Sequence, residues 1–183
     1  MKVALVQLVS LSPYSPSRRV PEREKKEAWD AYEERIWQDR VHWTAEGQAF
    51  MPPMGFKRSL ETAARFLRMR IPGKDKSEFG KHFLSGILVP RGIVLPIDRE
   101  HLEHEKLYLS SSGKKGEMNV LKWEPLIREW SGELEYYVLD DVITPEVFET
   151  HLREAGNFIG VGRFRPEKGG FYGRYEVKKV VWK

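Results

Sequence analysis

The chain opens with MKVALVQLV, a run whose apolar character is broken only by Lys2 and Gln7. Short, rich in β-branched residues and without clear alternation, it reads as a strand covered on both faces, near the middle of a sheet. Residues 10–21 carry three prolines and four serines. Such a segment neither joins a sheet ladder nor continues a helix, so it is expected to be a loop. Residues 22–40 hold strong helix formers without Gly or Pro, and Ala28, Trp29, Tyr32, Arg35 and Ile36 share one helical face. This helix is expected to project from the core as an insertion, followed by a small hairpin over 41–50 around Glu46-Gly47.

After a turn at Pro52-Pro53, Phe56, Leu60, Ala63, Ala64 and Leu67 recur at helical spacing and predict an amphipathic helix over 56–69. Its other face carries Lys57, Arg58, Arg65 and Arg68 against Glu61. Ile71-Pro72-Gly73 ends it, and 74–81 is expected to be a polar, mobile loop. Residues 83–89 and 92–97 read as strands around Pro90-Arg91, and 98–118 is polar and ambiguous. Residues 120–130 and 133–139 read as a hairpin around Ser131-Gly132. Thr144-Pro145-Glu146 combines a capping threonine, a proline at the first helical position and an acid near the helix's positive end. Val147, Phe148, Leu152 and Ala155 then share a face, with Gly156 placed to stop the helix. Residues 172–182 read as the last strand. This order suits one α+β domain over 1–183, a ferredoxin-like βαββαβ sheet with helices on one side and an insertion at 18–50 after the first strand.

At 183 residues the chain is long enough for one proper core. No stretch approaches the roughly 20 apolar residues of a membrane span. Residues 3–9 are too short for a signal-peptide core and lack a small-residue cleavage site. Cysteine is absent, which excludes disulfides and thiolate metal sites. A cytoplasmic location is the simplest reading. The net charge of +4 says little by itself. Its distribution says more, because Arg163, Arg165, Lys168, Arg174, Lys178, Lys179 and Lys183 face only Glu167 and Glu176 at the C-terminal end.

Much of that charge falls in 156–174, GNFIGVGRFRPEKGGFYGR, which also holds six of the fifteen glycines. Glycines such as Gly160, Gly162, Gly169 and Gly170 permit positive φ and close approach, which suits amides presented to phosphate oxygens. Arg163, Arg165, Lys168 and Arg174 add charged donors, and Phe164, Phe171 and Tyr172 offer faces for unpaired bases. A long connection with solvated arginines would have the same composition.

Placed after a helix and before a strand, GNFIGVGRFRPEKGGFYGRYEV resembles the C-terminal signature of the RAMP superfamily of CRISPR-associated proteins. That signature is a glycine-rich loop with interspersed arginines, closing on a strand that opens Gly-aromatic-Gly-Arg. Upstream, residues 50–65, FMPPMGFKRSLETAAR, are similar to the family's Pro-Gly-Ser-Ser-Leu-Lys-Gly-Ala-Leu-Arg element. Met54-Gly55-Phe56 departs from that element, and Pro166-Glu167 is extra in the loop. The insertion after the first strand matches the subunits that form the crRNA-binding backbone of effector complexes. The resemblance spans about half the chain, and a phage or mobile-element relative would share it. It implies an RNA-recognition-type fold and places Tyr14, Arg18 and Arg19 close to where the family binds its guide. Lys57, Arg58 and Arg65 are placed to line the same path, although a solvated helix face explains them equally.

Other constellations are weaker. His101-Leu-Glu-His104 has neither a metalloprotease pattern nor a third ligand. His151 falls among apolar helix positions, and His42 and His82 have no evident partners. Residues 73–82 lack P-loop spacing. The resulting expectation is non-catalytic binding of single-stranded RNA or DNA, RNA preferred, without cofactor, metal or membrane. The protein is expected to be a homo-oligomer or a subunit of a larger ribonucleoprotein. An RNA-processing endoribonuclease of the same superfamily, or an assembly protein of a phage or mobile element, are the alternatives.

Overall fold

The computed structural model describes residues 1–74, 76–111, 116 and 118–183. In chain order the elements are β1 (Lys2–Ser10), α1 (Trp29–Ile36), a 3-10 turn (Trp37–Arg40), β2 (His42–Trp43), β3 (Ala49–Met51) and α2 (Pro53–Leu67). Then come α3 (Gly80–Gly86), β4 (Ile87–Leu88), β5 (Ile93–Val94), β6 (Glu103–Ser110), β7 (Asn119–Leu126) and β8 (Ser131–Val138). The chain closes with α4 (Pro145–Glu154), a π turn (Ala155–Ile159), a 3-10 turn (Pro166–Lys168) and β9 (Tyr175–Trp182).

β1 is central, as its composition implies. It pairs antiparallel with β8 (Lys2↔Val138, Leu8↔Gly132) and with β9 (Ala4↔Trp182, Leu8↔Val177). The main sheet has the order β4-β8-β1-β9, so β1, α2, β4, β8, α4 and β9 trace a ferredoxin-like βαββαβ path in an α+β fold. Only one face of β1 is fully covered, contrary to the sequence expectation. Ala4, Val6 and Leu8 are buried beneath the helices, while Leu5 is half-buried and Gln7 exposed. The reason lies in the neighbours, since Gln7 is flanked by Glu133 and Lys179, and Leu5 by Glu135. Charged partners keep that face open to water.

α2 covers the inner face with Phe56, Leu60, Ala63 and Ala64. Phe56, Trp130 and Tyr175 meet there at ring separations of 6.0–6.3 Å. The helix starts at Pro53 rather than at 56, because a proline in the first turn lacks only an amide that would have no helical partner anyway. α4 begins as its sequence predicts, with Thr144 Oγ1 accepting from the Val147 amide at 3.3 Å. Thr144→Ala is expected to lower stability by about 1 kcal/mol in urea titrations. Gly156 does not stop this helix. The chain continues through the π turn to Gly160, and a Cβ at Gly156 would stand 2.1 Å from the Tyr175 carbonyl oxygen. Close packing of helix on strand explains that glycine.

Several local expectations are overturned by long-range pairing. The 120–130/133–139 hairpin does not form, because β7 pairs back onto β6 (Glu103↔Leu126 to Ser110↔Asn119) while β8 joins β1. The ambiguous 98–118 stretch thus supplies β6, and its residues 112–115 and 117 lie outside the described residues. In 83–89 only β4 is strand, since 83–86 are the end of α3, where Phe83 is buried against His151. In 92–97 only β5 is strand, and it joins β3 (Met51↔Ile93) in the small sheet ordered β2-β3-β5. The hairpin over 41–50 forms as β2 and β3. The polar loop 74–81, whose Asp75 lies outside the described residues, is tied down by an Arg70–Glu78 bridge and buried Phe79. The last strand starts at Tyr175 rather than at 172.

The insertion neither forms one long helix nor projects. Residues 22–28 are non-helical and α1 is short. Buried Glu33 and Arg40 form a two-pronged pair at 2.7 and 3.0 Å. The same two side chains bond the backbone of Trp123 on β7, with Arg40 reaching its carbonyl at 2.5 Å and its amide reaching Glu33 at 3.1 Å. No helix among the described residues is long and apolar enough to cross a membrane.

Candidate nucleic-acid interface

The glycine-rich segment is stitched onto the loop that follows β1. Gly173 donates to the Pro13 carbonyl at 2.7 Å, and Arg163 to that of Ser15 at 2.8 Å. Ser12 Oγ donates to the Phe171 carbonyl at 2.7 Å and accepts from the Arg174 amide at 2.9 Å. Several of the loop's amides are consumed internally. Those of Gly160, Gly169 and Gly170 go to the carbonyls of Ala155, Pro166 and Arg165, and those of Val161 and Tyr172 to the carbonyls of Gly173 and Phe164. The expected backbone cradle for phosphate is therefore turned inward at these positions, because the loop folds on itself. Its charge is presented by side chains instead.

Those side chains converge on α2. A cleft of 360 Å³ is lined by Arg58 and Arg65 from the helix, by Gly160, Gly162, Arg165, Glu167 and Lys168 from the loop, and by buried Tyr14 beneath. Arg58 and Arg65 are exposed. Arg165 is held by Glu167 at 2.7 Å and by the Gly162 carbonyl at 3.0 Å, while Lys168 stands 3.5 Å from the same carboxylate. Burial would raise the Glu167 pKa, but its Arg165 hydrogen bond and the two cations outweigh that and hold it below its ordinary value. Four cations and one ionised acid leave the cleft positive. His42 also lines it, and burial together with Arg18 pushes this imidazole below its usual range.

A second groove of 640 Å³ opens on the other side of Ser17, which lines both. Arg18, Arg19, Arg23, Arg40, Lys122 and Arg163 line it against Glu22 and Glu33, with Trp29 stacked under the Arg23 guanidinium at 4.6 Å. Gly162 belongs to the first cleft and Arg163 to the second, so the glycine-rich loop forms the sill between them. Sequence reasoning found Arg18, Arg19 and Arg163 but missed Arg23, Arg40 and Lys122. Lys122 was out of reach while its strand was paired with the wrong partner. Arg23 and Arg40 sit in a stretch where the two signs of charge balance.

The remaining candidates lie elsewhere. Lys57 is turned towards α3, paired with Glu61 and donating to the Leu84 carbonyl at 2.9 Å. Arg174 donates to the Asn157 carbonyl at 2.8 Å and lines neither opening. Phe164, with φ +52°, packs edge-on against Tyr172 at 6.1 Å. The Tyr172 hydroxyl donates to Glu105 on β6, and burial together with that bond pushes its pKa up to about 12. Tyr172 thus fastens the loop to β6 with Phe164 packed against it, and it is Phe171 that stands exposed.

His82, read from sequence as lacking a partner, has one. Its Nδ1 lies 2.6 Å from Asp140, whose other oxygen accepts the Val142 amide at 3.0 Å. His104 is layered between Trp37 and Trp123 at 4.5 and 4.8 Å. His151 is fully buried, and His101 pairs with Asp98 at the surface. Among the described residues no three His, Asp or Glu side chains are grouped so as to hold a metal ion.

Neither a family profile nor a curated protein sequence matches the chain. Among solved structures it is similar to that of Cmr6 from Pyrococcus furiosus, with a TM-score of 0.47 and 12% sequence identity, over 97% of this chain and 99% of that one.

Proposed function

We propose that the chain binds single-stranded nucleic acid, RNA by preference, along a track made by the two basic openings and the glycine-rich sill between them. The observation that carries this reading is the convergence of Arg58, Arg65, Arg165 and Lys168 on one cleft, from segments far apart in sequence. Side chains of this kind neutralise phosphates whatever the base, so binding is mainly to the backbone and tolerant of sequence. The RAMP-like motifs point the same way, and they extend the proposal to copies assembled side by side on one strand within a ribonucleoprotein.

The test is fluorescence anisotropy with a labelled oligouridine across a salt series. Arg58→Ala/Arg165→Ala is expected to weaken binding and to reduce the slope of log affinity against log salt by about 2. Lys179→Ala removes one charge from the outer face of the sheet, where this residue flanks Gln7, and is expected to leave binding unchanged. Equal affinity of the double variant and the native chain, with both folded by circular dichroism, would remove this cleft from the ligand's path. An oligothymidine of equal length tests the preference for RNA.

A further inference from the structure

One carboxylate beneath the track is arranged unlike the others. Glu124 on β7 is 1% exposed, and its Oε1 takes Arg163 Nη1 at 2.6 Å. Its Oε2 is closed off from water and has no hydrogen-bond partner among the described residues. Nearby Glu33 shows the contrast, with both oxygens bonded by Arg40 and one also by the Trp123 amide. A buried pair built only for stability has its lone pairs satisfied. The Glu124 pair is lopsided in a second way, because Arg163 is 30% exposed and lines the second groove. One end of the ion pair is sealed and the other is open to a ligand.

We propose that Glu124 is an internal competitor for Arg163, occupying its guanidinium in the free protein and yielding it to a phosphate when a strand crosses the glycine-rich sill. This rests on the nucleic-acid-binding reading above and adds a contact that opposes binding. The placement supports it: Gly162 faces one opening and Arg163 the next, so a strand joining them passes Arg163. A phosphate offers the guanidinium two oxygens in a forked geometry, which Glu124 does not match with a single bond. Among the described residues no neighbouring cation replaces the lost partner through a hydrogen bond, since Arg40 is engaged by Glu33 and Trp123, and Lys122 donates to the Ser111 carbonyl at 3.1 Å.

The groups facing Glu124 also fix the sign of a proton effect. Burial raises its pKa, Arg163 chiefly opposes this, Arg40 and Lys122 add smaller attractions, and Glu33 repels. Removing Arg163 takes away the largest opposing influence, so the carboxylate becomes easier to protonate. Binding therefore takes up a proton.

Three measurements with a labelled oligouridine test this. Glu124→Gln frees Arg163 and is expected to tighten binding by roughly threefold to tenfold. In an Arg163→Met background the same substitution is expected to change nothing, which ties the gain to this pair. Calorimetric titration of the native protein near roughly pH 6, in two buffers of different ionisation heat, is expected to show net proton uptake. Unchanged or weaker binding by a folded Glu124→Gln variant overturns the competition, and so does the absence of proton uptake. If the variant fails to fold, the calorimetry decides when repeated on a His42→Gln protein, since the His42 imidazole in the first cleft would also take up a proton beside a phosphate. Arg165→Ala, run alongside, separates the two claims: if it also leaves affinity untouched, the binding track itself fails.

Discussion

Arg40→Met is expected to destabilise the protein by about 3–5 kcal/mol, the largest loss of any single side-chain removal outside the apolar core. Glu33 is fully buried and Arg40 nearly so, and each also bonds the backbone of Trp123. Methionine fills similar space but leaves the Glu33 carboxylate sealed in without its counter-ion. The loss then comes mostly from the stranded charge. Glu33→Met/Arg40→Met removes both charges together and is expected to recover most of the lost stability. Urea denaturation of native, single and double variants checks this. A double variant no more stable than Arg40→Met would mean that packing, and not the orphaned charge, dominates. Since the pair also pins α1 to β7, the single variant is expected to loosen the floor of the second groove and weaken binding there.

Gly173→Ala is the second large effect, expected at roughly 2–4 kcal/mol together with loss of nucleic-acid binding. Gly173 has φ +73°, and a Cβ there would stand 1.8 Å from the Val161 carbonyl oxygen. Its own backbone ties both sides of the sill, donating to Pro13 and accepting from Val161. The strain cannot relax into a flexible side chain, so the loop has to open. Gly169→Ala is the control: φ is +79°, but nothing lies within 4 Å of the new methyl group. It carries only the left-handed backbone penalty, about 1–2 kcal/mol, and is expected to keep its affinity. Thermal melting and anisotropy on both variants distinguish closed from opened loops.

The features that were legible in the sequence are those written locally. β1 announced itself by composition, α2 by spacing, and α4 by its Thr-Pro-Glu start, and together they fixed the βαββαβ order. The β6–β7 ribbon was hidden because residues 119–126 pair backwards onto EHEKLYLS, whose alternating charges look like loop. Residues 22–28 failed as helix despite good propensities, for their charges give no apolar face to dock. At the interface, the sequence identified the right segment and misjudged how it presents itself. Glycine content suggested free amides, yet many of the amides are spent on the loop's own carbonyls or on the segment after β1. Arg163 read as a free donor for phosphate because Glu124 lies 39 positions away, on a strand whose partner was misassigned.

The placement of β1 also bears on how the chain reaches its native state. Lys2 has to find Val138 and Ala4 has to find Trp182, so neither neighbour of the central strand is local. Topologies of this kind refold in milliseconds to seconds rather than microseconds. At synthesis rates of about 5–20 residues per second, this apolar strand waits on the order of ten seconds before β8 is made. During that interval it is a sticky segment without a sheet. Chaperone occupancy of nascent chains should peak there.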